Sequence, residues 1–123
     1  MSASVLIVED DQAICDLYAA ALGELGDLTI TKLMRADDAV TFLNNGEDPN
    51  LIITDMDMPG GSGMDVLKAA KDSGEDVPCI VCSGSIDNRS SLEGMADAVL
   101  EKPIMLNEFL GQVQSLLRQN VTH

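Results

Sequence analysis

The sequence predicts an α/β fold: a doubly wound, five-stranded parallel sheet with helices on both faces. Three observations lead there. Short, wholly apolar runs such as Val5 to Val8 and Leu51 to Ile53 read as strands buried on both faces, because a half-exposed strand would alternate apolar with polar residues. Between these runs lie stretches whose apolar residues recur at helical spacing. The two patterns alternate along all 123 residues without repeat, linker or low-complexity tract, and strands alternating with helices imply a covered parallel sheet.

Taken in order, Ser4 to Val8 is the first strand. Ile14, Leu17, Tyr18, Ala21, Leu22 and Leu25 then form one stripe of an amphipathic helix that Gly26 ends. Leu28 to Leu33 alternates, as an edge strand does. Asp37 and Asp38 favour the start of a second helix through its dipole, and Ala36, Ala39, Val40 and Leu43 give that helix its inner face. Leu51 to Thr54 is the third strand, closed off when Pro59 and Gly60-Gly61 forbid further regular structure. Gly63 to Lys71 makes a helix through Val66, Leu67 and Ala70. Val77 to Cys82 is the fourth strand, Ile86 to Met95 a short helix without a clear stripe, and Ala98 to Leu100 the fifth strand. Leu106, Phe109, Leu110, Val113, Leu116 and Leu117 line the last helix. Right-handed crossovers leave few arrangements, and the flavodoxin-like order 2-1-3-4-5 is the common one for a (βα)5 chain.

Composition narrows the function classes. The chain is 46% hydrophobic but only 2% aromatic (Tyr18, Phe42 and Phe109), so its core must be built from Leu, Ile, Val, Ala and Met. Twenty-one acids against seven bases give a net charge of −14, which argues against nucleic acid, where Lys and Arg must neutralise phosphates. No run approaches the ~20 apolar residues of a membrane span, and the N-terminus lacks the basic region of a signal peptide. A cytoplasmic protein is expected, with no membrane partner. Cys79 and Cys82 spell C-x-x-C, but residues three apart on a strand point to opposite faces. They read as buried small hydrophobes, without disulfide or shared metal.

The chemistry lies at the strand ends. Strand one ends in Glu9-Asp10-Asp11, strand three in Asp55, strand four in Ser83-Gly84 and strand five in Glu101-Lys102-Pro103. Parallel strands share one carboxyl edge, so these groups converge on one rim, the place where open α/β sheets hold ligands. Several carboxylates within a few ångströms repel unless a cation sits among them. Oxygen-only ligands favour a hard ion, Mg²⁺ above all, which also takes phosphate oxygens. Lys102 and Ser83 then complete a phosphoryl site in which Asp55 is the nucleophile, forming an acyl phosphate.

With these motifs in place the chain resembles, over essentially its whole length, the receiver domain of two-component response regulators of the stand-alone, chemotaxis-regulator-like kind. The resemblance rests on Val5-Leu6-Ile7-Val8-Glu9-Asp10-Asp11, on Ile53-Thr54-Asp55-Met56-Asp57-Met58-Pro59 with Gly63, on Pro78 to Gly84, and on Lys102-Pro103. It implies that Glu9 and Asp10 are the metal-binding acid pair and that Asp55 is both phosphoacceptor and metal ligand. It further implies that Asp57 lends a backbone carbonyl to the metal, that Ser83 is the switch hydroxyl, that Lys102 contacts the phosphoryl group, and that the Lys102–Pro103 peptide is cis. The implied activity is a switch, not a turnover enzyme, catalysing only its own phosphorylation and dephosphorylation. Its partners are a histidine kinase or histidine phosphotransfer protein and a downstream target protein.

Three features depart from the family pattern. Val99 stands where a switch aromatic is usual, the span from Gly84 to Lys102 is short, and Met105 occupies the cap position of the last helix. Two rival readings stay open: a phosphate-independent docking receiver, and an aspartyl-phosphate phosphatase using Asp55-Met56-Asp57. The latter normally carries its D-x-D on the first strand. Residues 1–123 are expected to be one receiver domain, whether a natural stand-alone chain or part of a larger protein.

Overall fold

A computed structural model describes residues 3–73, 77–84 and 95–121, with side chains as far as residue 117. The elements run β1 (Ala3–Val8), α1 (Gln12–Gly23), β2 (Leu28–Leu33), α2 (Ala36–Asn44), β3 (Leu51–Asp55), β4 (Asp57–Met58), β5 (Gly61–Ser62), α3 (Gly63–Asp72), β6 (Cys79–Ser83), β7 (Ala98–Glu101) and α4 (Leu106–Val121). Five strands form one parallel sheet in the order β2-β1-β3-β6-β7. Leaving aside the two-residue strands β4 and β5, this is the predicted order 2-1-3-4-5.

Strand alternation divides the core into two layers. Val5, Ile7, Leu51, Ile53, Ile80, Cys82 and Leu100 face α1 and α4, packing on Tyr18, Leu22, Phe109 and Val113. Leu6, Val8, Ile52, Cys79 and Val81 face α2 and α3, packing on Ala39, Leu43, Val66 and Leu67. Cys79 and Cys82 therefore lie in opposite layers, both buried and both free, as the period of two requires. Strands β3 and β6 are buried at every residue. Strand β2 is an edge strand but does not alternate strictly: only Thr29 and Lys32 are exposed, and Ile30 and Thr31 are both half-buried.

Several expectations need correction. Leu17 is 48% exposed. The buried stripe of α1 is Cys15, Tyr18, Ala21 and Leu22, because the helix turns its smaller sulfur side chain, not Leu17, onto the sheet. Helix α1 also stops at Gly23, before Leu25, although Leu25 still packs on the core from the turn that Gly26 (φ +116°) reverses. In α2, Val40 is only half-buried, the inner face being Ala36, Ala39 and Leu43. Pro59-Gly60-Gly61 does not end regular structure. Gly60 (φ +82°) and Gly61 (φ +142°) fold the chain back so that Asp57 pairs with Ser62 and Met58 with Gly61, a reversal that residues with a Cβ rarely adopt. The short helix expected over 86–95 falls almost entirely outside the described residues.

Candidate functional site

Four strand ends build the site. Glu9 and Asp10 follow β1, Asp55 closes β3, Ser83 closes β6, and Lys102 follows β7. Neighbouring strands in register bring them together: Val8 pairs with Thr54, Asp55 with Cys82, and Ser83 with Glu101. The Lys102 amide donates to the Ser83 carbonyl at 2.8 Å. The Lys102–Pro103 peptide is cis, as the resemblance implies.

Glu9, Asp10 and Asp55 each place a carboxylate oxygen within 4.8 Å of the others. Glu9 and Asp55 are buried while Asp10 is exposed, so the cluster has a closed floor and an open mouth. Two donors meet at one oxygen of Asp55. Lys102 Nζ lies 2.8 Å from Oδ1, and the Met56 amide donates to the same atom at 2.9 Å. Neither contact uses Oδ2. The Met56 amide is shared, donating also to the Cys82 carbonyl at 3.0 Å. Glu9 Oε1 accepts a 3.3 Å bond from the Asp11 amide. Glu9 Oε2 is buried with no hydrogen-bond partner, alone among the side-chain nitrogen and oxygen atoms of the described residues. Leaving such an oxygen unpaired costs free energy comparable to a lost hydrogen bond.

The electrostatics follow from this packing. Burial, then the neighbouring negative charges of Asp55 and Asp10, push the Glu9 carboxyl up from 4.5 to about 7, against the opposing pull of Lys102 and the Asp11 amide. Burial disfavours the Lys102 ammonium, but its hydrogen bond to Asp55 and the charges of Asp55 and Glu9 outweigh this and hold it above its ordinary value. Three converging carboxylates and an unpaired buried oxygen make an all-oxygen donor set, which suits a hard divalent cation. The residues that could hold one are Glu9, Asp10 and Asp55.

The side chains of Asp57 and Asp11 do not join them. Asp57 is exposed on β4, and its side chain is outside the cluster. Asp11 caps α1, its Oδ1 accepting from the amides of Ala13 (3.0 Å) and Ile14 (3.3 Å). Three further contributors act without a side chain, and of these only Gly63 stands out in the sequence. The Met56 amide and the Cys82 carbonyl are backbone groups. Gly63 is needed for its missing side chain, since a Cβ there would stand 2.6 Å from the Asp55 carbonyl oxygen.

A doubly wound sheet with a buried, lysine-paired aspartate at the end of its central strand defines a class of α/β protein with an acidic site at the carboxyl edge. Comparison with known proteins makes this specific. Residues 5–114 match the response regulator receiver domain family, and the chain belongs to that family. It is 30% identical over 124 residues to the response regulator MprA of Mycobacterium bovis, covering 97% of this chain and 52% of the relative; it therefore spans about half the length of the curated relatives it matches. A CheY-like receiver domain protein from Methanospirillum hungatei superposes with a TM-score of 0.86 at 27% identity, over 98% of this chain and 97% of that one. TrrA of Thermotoga maritima, solved in complex with Mg²⁺ and beryllofluoride, gives 0.82 at 26% identity, over 94% and 99%.

Proposed function

We propose that this chain is a phosphorylation-dependent signalling switch in which Asp55 accepts a phosphoryl group from a phosphohistidine on a histidine kinase or histidine phosphotransfer protein. The observation that carries the proposal is the convergence of Glu9, Asp10 and Asp55 beside a Lys102 ammonium that already bonds Asp55. That the receiver of TrrA was solved with Mg²⁺ and beryllofluoride supports the same chemistry here.

In the transfer, a carboxylate oxygen of Asp55 attacks phosphorus. The phosphorus–nitrogen bond of the donor breaks, its electron pair stays on the imidazole nitrogen, and that nitrogen takes a proton from solvent. Oδ1 is already held by Lys102 and the Met56 amide, which leaves Oδ2 as the attacking oxygen. Lys102 then exchanges its bond to Asp55 for one to a phosphoryl oxygen, and Ser83 offers a hydroxyl to another. Glu9, Asp10 and Asp55 would hold Mg²⁺, with the Asp57 carbonyl as a further ligand. When bound, the cation neutralises the carboxylates and the developing charge on phosphorus.

The switch signals by binding a target protein. The same proposal treats residues 1–123 as one receiver domain acting in the cytoplasm, without nucleic acid or membrane as partner. The charge of −14 supports this, and among the described residues no helix is long and apolar enough to cross a membrane. The test is incubation with Mg²⁺ and acetyl phosphate followed by intact-mass measurement. One phosphoryl adduct is expected, abolished by Asp55→Asn; an adduct that persists in that variant would sink the assignment.

A further inference from the structure

Strand β3 is apolar from Leu51 to Ile53 and then carries a hydroxyl. Thr54 is fully buried, and its neighbours across the sheet, Val8 and Val81, belong to the apolar layer that faces α2 and α3. A valine would fill the same space, and a buried hydroxyl costs free energy unless it is bonded. Its bond goes to the residue that holds the central carboxylate. Thr54 Oγ1 donates to the Asp55 carbonyl at 3.0 Å.

That carbonyl is one end of a rigid unit. The Asp55 C=O and the Met56 N–H belong to a single planar peptide, so a turn of the plane moves both. At the N–H end, Met56 donates to Asp55 Oδ1 at 2.9 Å and to the Cys82 carbonyl at 3.0 Å. At the C=O end stand the Thr54 hydroxyl and Gly63, where a Cβ would come within 2.6 Å of the oxygen. Gly63 limits the carbonyl by contact, and Thr54 holds it by attraction. A hydrogen bond at the C=O also polarises the N–H of the same peptide, which strengthens its donation to Oδ1.

We propose that Thr54 is a positioning residue for phosphoryl transfer. Its hydroxyl sets the Asp55–Met56 peptide plane, and through it the N–H that pins Oδ1 and leaves Oδ2 to the phosphoryl donor. The proposal rests on Asp55 being the phosphoacceptor. Thr54 is fully buried, so it cannot meet the donor and acts only through this peptide. Lys102, the other group on Oδ1, is drawn away to the phosphoryl oxygens during transfer. The Met56 N–H is then the hold that remains on Oδ1, and without the hydroxyl its plane is free to turn.

Thr54→Val and Thr54→Ser separate the hydroxyl from the packing. Adduct formation with Mg²⁺ and acetyl phosphate, which yields its phosphoryl group as acetate leaves, would be timed by intact mass, and the Met56 amide proton followed by NMR. Thr54→Val should form the adduct about tenfold more slowly than wild type, within the ~100-fold that a 1 Å misplacement can cost, and its Met56 amide proton should move upfield. Thr54→Ser should restore both the rate and the proton's position. Thr54→Ala repeats the comparison if the valine variant does not fold. A wild-type rate without the hydroxyl, a Met56 proton that stays in place, or a Thr54→Ser variant as slow as Thr54→Val overturns this inference and leaves the phosphoacceptor assignment standing. Absence of any wild-type adduct overturns both.

Discussion

Glu9 carries the strain of the site. It is 2% exposed, one of its oxygens lacks a partner, and burial together with Asp55 and Asp10 raises its carboxyl from 4.5 to about 7. The folded chain therefore binds this proton more tightly than the unfolded chain. The associated stability is complete below pH 4.5 and is lost as pH rises to about 7, a loss on the order of 3 kcal/mol. In metal-free buffer, melts should show wild type losing stability across that window. Glu9→Gln should flatten the profile and melt higher at neutral pH, with a weakened Mg²⁺ response. Asp10→Asn, at the exposed mouth, should relieve less. A neutral-pH melting point unchanged by Glu9→Gln would show that the carboxyl is ionised without penalty. Lys102→Ala should still bind Mg²⁺ but lose the spectral change that accompanies phosphorylation. A variant that responds like wild type would reduce Lys102 to a surface charge.

At the scale of elements, the start of α3 places Asp55. Ser62 caps the helix, its Oγ accepting from the Met64 amide at 3.2 Å while Asp65 accepts from the Ser62 amide at 3.0 Å. The Gly63 amide donates to the Met56 carbonyl at 2.8 Å. Backbone meets backbone there, so Gly63→Ala cannot be absorbed by a rotamer change. It should cost about 1–3 kcal/mol and slow phosphorylation by acetyl phosphate, because relief of the clash displaces the Asp55 carbonyl. An unaltered melting point and rate would show that the helix start yields freely. Helix α4 presents the opposite case. Met105 precedes it, 62% exposed, and offers no capping oxygen. Met105→Ser should stabilise the chain by roughly 1 kcal/mol, read as a raised denaturant midpoint at constant slope.

For the whole molecule, the net charge of −14 and the acidic rim act together. The folded cluster of Glu9, Asp10 and Asp55 is the candidate site for a divalent cation, and the unfolded chain has no comparable site. Mg²⁺ at a hundredfold excess over its Kd should then stabilise by about 2.7 kcal/mol, which for this size raises Tm by roughly 10 °C. Na⁺ at matched ionic strength screens the same surface charge without occupying the cluster. An equal shift with Na⁺ would mean that screening alone accounts for it.

Pattern and composition were enough to read the sheet, its order and the residues of the rim. Burial on both faces leaves a wholly apolar run no other regular home, and parallel strands must share one carboxyl edge. Glu9, Asp10, Asp55, Ser83 and Lys102 were visible for that reason, each a polar group abruptly ending an apolar strand. Periodicity was a weaker guide to α1. It ranks Leu17 with Leu22, yet the seating of the helix on the sheet turned Leu17 outward and Cys15 inward. The reversal at Gly60-Gly61 is illegible in the sequence because a two-residue pairing leaves no periodic trace. The sequence by itself determined the five long strands, their order and which residues meet at the rim, since these follow from local hydrophobic period and chain connectivity. Only the tertiary structure decided that Glu9 is the buried acid and Asp10 the exposed one, that the Met56 amide is shared, and that Tyr18 stacks on Phe109. Those depend on how strands and helices seat against one another in three dimensions, and side-chain spacing along the chain does not encode that distance.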